Sequence, residues 1–235
     1  RPAAMETPEP ESSPIASPPR VFRPQRAVPT DTVRPTRAEV NLSNLRHNLR
    51  LLQSAAKGAK VWAVLKADAY GHGSKAVART LERAGLDGVC VALLEEAIEL
   101  REAGIRLPIL VMGGYFGNAW GEVLHYQLTP VLHDPGQVEA LAKEVRFRGG
   151  STPADVHLKI DTGMSRLGIR PDDVHAVAVD LAHHRELRLQ GLMTHFANAD
   201  AADGDSVAHQ LDLFEAADRT LKAHGVSAEL RHTAN

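Results

Sequence analysis

The sequence predicts an α/β protein built as a (β/α)8 TIM-like barrel, and three observations carry that reading. From residue 37 onward short apolar runs alternate with amphipathic segments, the pattern of repeated βα units in a parallel sheet. No Gly-x-Gly-x-x-Gly follows the first strand, which removes the main signature of an open dinucleotide-binding sheet. Polar residues suited to chemistry fall repeatedly at strand C-termini, the end at which barrels carry their sites.

Taken in order, Ala38–Leu42 reads as a strand, and Ser43 as the N-cap of a helix to about Ala56 with Leu45, Leu49 and Leu52 on one face. Strands follow at about 60–66, 88–93, 108–112, 127–132, 154–161, 188–196 and 227–233. Helices lie between them at about 74–84, 94–103, 118–125, 135–147, 171–184 and 206–224. Gly85, Gly104 and Gly225 stand where helices should end, and Pro108 and Pro171 where elements should begin. A complete barrel takes about 250 residues and eight strands. The 198 residues from 38 to 235 fall short of that, so the barrel is expected to stop after about seven strands.

Residues 1–36 differ in kind. They hold nine of the fourteen prolines, with few large apolar groups, and are expected to be a disordered tail. Over the whole chain, 43% hydrophobic and 24% charged residues are ordinary for a globular protein. A formal charge of −2 argues against a nucleic-acid or membrane-surface partner. No run approaches the roughly 18 apolar residues of a membrane span. The single cysteine, Cys90, reads as a core residue, and with no disulfide possible within the chain a cytoplasmic setting is expected.

The richest stretch is Val61-Trp-Ala-Val-Leu-Lys66-Ala-Asp-Ala-Tyr70-Gly-His-Gly73. An apolar run delivers Lys66 to its end, and a glycine-containing polar turn follows. A lysine so placed suits Schiff-base chemistry, because partial burial favours the neutral amine that attacks a carbonyl. An arbitrary strand-end lysine is a surface residue; Tyr70, Gly71, His72 and Gly73 set this one apart. A second cluster runs from His157 to Gly168. Strand alternation puts His157, Lys159 and Asp161 on one face, facing either solvent or, in a barrel, the interior, where such groups need partners or a ligand. Arg166, in the turn beyond, is placed to address an anionic oxygen. A third cluster, Thr194-His195-Phe196-Ala197, ends a strand, and a fourth, Arg231-His-Thr-Ala-Asn235, closes the chain. Asn198, Asp200, Asp203 and Asp205 lack the spacing of a calcium loop and read as a polar loop, so no metal is expected.

Together these runs resemble the signatures of alanine racemases, fold-type III enzymes that use pyridoxal 5'-phosphate (PLP). The resemblance covers roughly residues 37–235, which would be the PLP-binding N-terminal barrel portion. It implies that Lys66 carries the cofactor and acts as the base on one face of the substrate α-carbon. Tyr70 and Asn235 would help bind PLP. Arg166 would contact the phenolic oxygen and the substrate carboxylate, and His195 would stack on the pyridine ring. Lys159 matches a lysine that many members carry as a carbamate, and His232 matches a residue standing behind a cofactor contact. The implied reaction is interconversion of L- and D-alanine by two bases, supplying D-alanine for peptidoglycan. The implied assembly is a homodimer whose partner subunit lends a tyrosine from a C-terminal β-domain absent here. On that basis the 235 residues alone are expected to be an inactive fragment. Two rivals are a racemase for serine, lysine or a broad set of amino acids, and a non-catalytic PLP-binding barrel.

Overall fold

The structure, a computed structural model, describes residues 38–117, 119–150, 152–200 and 204–234. The tail expected over 1–36 lies outside the described residues, and so does Asn235. Seven strands form one sheet: β1 (Trp62–Val64), β2 (Gly88–Val91), β3 (Ile109–Val111), β4 (Thr129–Leu132), β5 (Ala154–Lys159), β6 (Leu187–His195) and β7 (Leu230–Ala234). They pair in parallel in strict chain order. Helix α1 (Leu42–Ala55) precedes the sheet. The crossovers are α2 (Lys66–Gly71) with α3 (Ser74–Arg83), α4 (Leu94–Glu102), α5 (Ala119–His125), α6 (Gly136–Phe147), α7 (Val174–His183) and α8 (Asp205–Ala223).

The sheet is curled into a truncated barrel. Trp62 of β1 and His157 of β5 bring their ring centroids within 6.0 Å. Four steps along a flat sheet would separate those strands by about 19 Å. Side-chain alternation then defines two layers. Inward-facing Cys90, Leu110, Val131 and Met193 pack together with Trp62 and Met112. Outward, Val89, Val91, Ile109 and Val111 meet Val77, Leu81, Ala97 and Leu100 of the early helices. Val156, Leu158, Ile160 and Leu192 meet Leu141, Val177, Phe214 and Leu221 of the later ones. Each such side chain contributes about 1.5–3 kcal/mol by leaving water, so the helical shell carries most of the stability.

Two glycines make room for the large inward rings. A Cβ at Gly88 would lie 2.6 Å from the Trp62 ring, and one at Gly191 would lie 2.4 Å from the His157 ring. Strand β6 also holds one residue more than β5 requires. Val156 pairs with Leu189 but His157 with Gly191, leaving Gln190 unpaired in a β-bulge.

The expected strand over 38–42 is a correction: residues 38–41 are not strand, and α1 begins at Leu42. The Asn41 side-chain oxygen accepts from the backbone N–H groups of Ser43 (2.9 Å) and Asn44 (3.1 Å), so Asn41 rather than Ser43 caps the helix. The other expected strands and helices are present, with bounds shifted by a few residues. Gly85, Gly104 and Gly225 do follow helix ends, each with positive φ. No helix among the described residues is long and apolar enough to cross a membrane.

Candidate active site

Lys66 stands just past β1 at the C-terminal rim of the barrel, and the chain then does something unusual. Ala67, Asp68, Ala69 and Tyr70 all have φ between 52° and 54°, making one turn of left-handed helix without a glycine among them. Such a turn costs roughly 1–2 kcal/mol per residue, so it persists only because its surroundings hold it. The Ala67 N–H donates to Glu96 Oε1 at 2.6 Å, and the Ser74 N–H donates to Asp68 Oδ1 at 2.6 Å. The Gly73 N–H donates to the Asp68 carbonyl at 2.9 Å, and the protonated Nδ1 of His72 donates to the Ala69 carbonyl at 2.8 Å. The turn brings the Tyr70 ring beneath Lys66, with Nζ 5.8 Å from its centroid. Tyr70 itself is 60% exposed.

The loop after β5 is held differently, from within. One oxygen of Asp161 accepts from the N–H groups of Gly163 (3.1 Å) and Ser165 (2.9 Å). Buried Thr162 and Thr194 share a hydroxyl hydrogen bond at 2.8 Å, tying the loop to β6. Asp161 therefore lies just beyond the strand's end and organises the loop. Arg166 projects from this loop, exposed and without an ion pair among the described residues.

Inside the barrel, His157 and Lys159 are 1% and 5% exposed. Lys159 has neither a hydrogen bond nor an ion pair among the described residues. Burial lowers its pKa and the Arg166 charge lowers it further, while Asp161 opposes both. His157 Nδ1 lies 3.0 Å from His232 Nε2, and its Nε2 lies 3.2 Å from Gln190 Oε1. Burial pushes both histidines down to about 4, so both rings are neutral at pH 7. Gln190 in turn donates to Asp155, which is paired with Arg188.

His195 ends β6 at the same rim. Its pKa is lowered first by burial and then by the positive charges of Arg166, Lys159 and Lys66. Lys159 pairs with Met193, Thr162 with Thr194, and Lys66 follows β1, so the clusters at 66, 159–166 and 195 share one rim, where all three cations act on the His195 ring.

Two rim residues escape a reading of the sequence. His133, just past β4, is partly buried, and its pKa is lowered by burial and by Lys159 while Asp134 raises it. Its ring stacks toward Tyr115 at 6.2 Å, and the only signal for it was its place at a strand end. Glu96 begins α4, and nothing local marks its bond to a residue 29 positions away.

Barrel topology and rim together define a class: a parallel βα barrel whose C-terminal rim gathers three cations around a histidine. The alanine racemase N-terminal domain profile matches residues 40–235, and the chain belongs to that family. It is 54% identical over 209 residues to an alanine racemase of Sorangium cellulosum, covering 86% of this chain and 55% of that protein. It is 43% identical over 192 residues to a catabolic alanine racemase of Pseudomonas putida, covering 81% and 52%. The structure of alanine racemase from Clostridium difficile superposes with a TM-score of 0.78 at 33% identity, covering 83% of this chain and 54% of that one. The chain thus spans about half the length of the curated relatives it matches.

Proposed function

We propose that these residues form the cofactor-binding part of a PLP-dependent alanine racemase. The observation that carries this reading is the convergence of Lys66, Lys159 and Arg166 on His195. A primary amine among further cations, at a barrel rim, fits an anionic cofactor that bears an aldehyde. When bound, PLP supplies an electron sink for the pair left behind as the α-proton departs.

The chain's own residues do the rest. Lys66 Nζ would hold the cofactor, and its amine would serve as the base that takes or returns the α-proton on one face. Tyr70, exposed beside it, contributes to the phosphate site, together with Asn235 beyond the described residues. Arg166 offers its planar fork to the phenolic oxygen and to the substrate carboxylate. His195, whose pKa is lowered by burial and then by its three cationic neighbours, presents a ring for stacking. Lys159 is disposed toward the neutral amine that a carbamate requires, and as a carbamate it would turn from a repelling neighbour of Arg166 into an orienting anion. His232, backed by His157, supports a cofactor contact made by another residue. The opposite-face proton is handled by a tyrosine from the partner subunit of a homodimer. Alanine is the substrate best supported by the relatives' names, and D-alanine for peptidoglycan, made in the cytoplasm, is the role that accompanies it.

The test is chemical. Borohydride reduction of the PLP-treated protein should leave the cofactor's mass on the peptide containing Lys66. In any longer product that contains this chain, Lys66→Ala should lower racemisation more than about 100-fold, the scale of a lost general base. Label on another lysine, or none, would refute the reading.

A further inference from the structure

We infer that Glu96 is the positioning residue that holds the left-handed turn after Lys66 and thereby aims the lysine; this rests on the cofactor reading above. Glu96 lies in the first turn of α4, and half of what it does is ordinary helix capping. Its Oε2 accepts from the N–H groups of Ala92 (2.8 Å) and Leu93 (3.1 Å), which open that helix. Its Oε1 does something no cap requires. It reaches across to the loop after β1 and accepts the Ala67 N–H at 2.6 Å. Ala67 is the residue next to Lys66 and the first of four with positive φ.

The geometry assigns a reason for a carboxylate at 96. All three partners are backbone donors, and both carboxylate oxygens are used. A glutamine there has one acceptor, and its amide nitrogen would face an N–H group on one side or the other. An aspartate keeps two acceptors on a stem one methylene shorter, enough to open α4 but short of Ala67. These two variants separate the roles. A residue that only caps α4 tolerates aspartate; a residue that also holds the Lys66 turn does not.

Hydrogen exchange and cofactor labelling read this out in the same protein. In Glu96→Gln and Glu96→Asp the Ala67 amide should exchange at least about tenfold faster than in the unsubstituted protein, the scale of a lost bond to a charged acceptor. PLP with borohydride should label Lys66 several-fold more slowly in both. Glu96→Asp should keep its melting temperature and the slow exchange of β2 and β3, which sets the effect apart from general loosening. Wild-type exchange at Ala67 in Glu96→Asp overturns the inference. So does faster exchange with an unchanged rate of Lys66 labelling, because the turn would then not govern the lysine. If the unsubstituted protein is not labelled at Lys66, the cofactor reading fails instead, and exchange at Ala67 alone decides whether Glu96 holds the turn.

Discussion

On strands β2 to β4 the inner face of the sheet is apolar, with Cys90, Leu110 and Val131 supplied one from each strand. On β5 to β7 the same face carries His157, Lys159 and His232. Both halves are packed, but for unlike reasons. The first gains stability simply by leaving water. The second must satisfy or neutralise every polar atom it encloses, a cost the apolar half does not carry. The apolar side serves as a wall, and the polar side faces the rim where Lys66 stands just past β1.

The contrast can be broken from its apolar side with the largest effect. Leu110 is 1% exposed at the centre of the inner layer, and Leu110→Ala should cost about 2–5 kcal/mol in a denaturant titration. An effect below 1 kcal/mol would show that the inner layer is not a packed wall.

The next effect is a pH dependence set by the polar side. The folded-state pKa of His157 and His232 is lowered from 6.5 to about 4, so the unfolded chain binds protons that the folded one refuses. The associated stability is fully present above pH 6.5 and is lost as pH falls toward 4. Its size is on the order of 3 kcal/mol for one such ring. Urea midpoints across that window should fall, and should fall less in His157→Gln, which cannot titrate. Equal slopes for the two proteins would place the acid sensitivity elsewhere.

The smallest effect has the opposite sign. Lys159 is nearly buried without an ion pair among the described residues, so Lys159→Met should leave stability unchanged or raise it by about 1 kcal/mol. The same change should weaken PLP labelling at Lys66 if Lys159 serves the site. A strongly destabilised Lys159→Met would mean that the polar half is a structural core after all.

The two halves also differ in how plainly the sequence announces them. Apolar runs such as Gly88–Val91 and Ile109–Val111 are legible because a buried parallel strand needs nothing but apolar residues. Helix ends are legible at Gly85, Gly104 and Gly225 because only glycine adopts positive φ without strain. Lys66, Arg166 and His195 stand out by position at strand ends, and their convergence follows from the curl of the sheet. What is not legible depends on distant partners. The run Ala38–Leu42 looks like a strand until Asn41 turns its side chain onto the next two amides. Ala67–Tyr70 looks like an ordinary loop, because nothing in those four residues announces left-handed backbone held by Glu96. His133 gives no signal beyond its place after Thr129–Leu132.

The unpaired Gln190 has a consequence that reaches the rim. Before it, Leu187 and Leu189 point out to the helices; after it, Leu192 points out while Gly191 and Met193 point in. Strand β6 thus changes parity halfway along. Were Gln190 held in regular alternation instead of a bulge, odd-numbered positions would keep facing the helices to the end of the strand, and His195 would be turned away from the three cations. The bulge absorbs what would otherwise be a frame shift in side-chain direction, and deleting Gln190 outright would leave regular alternation with Gly191, Met193 and His195 still turned inward. A bulge midway along the strand, five residues before the rim, decides which side of the wall the histidine is on.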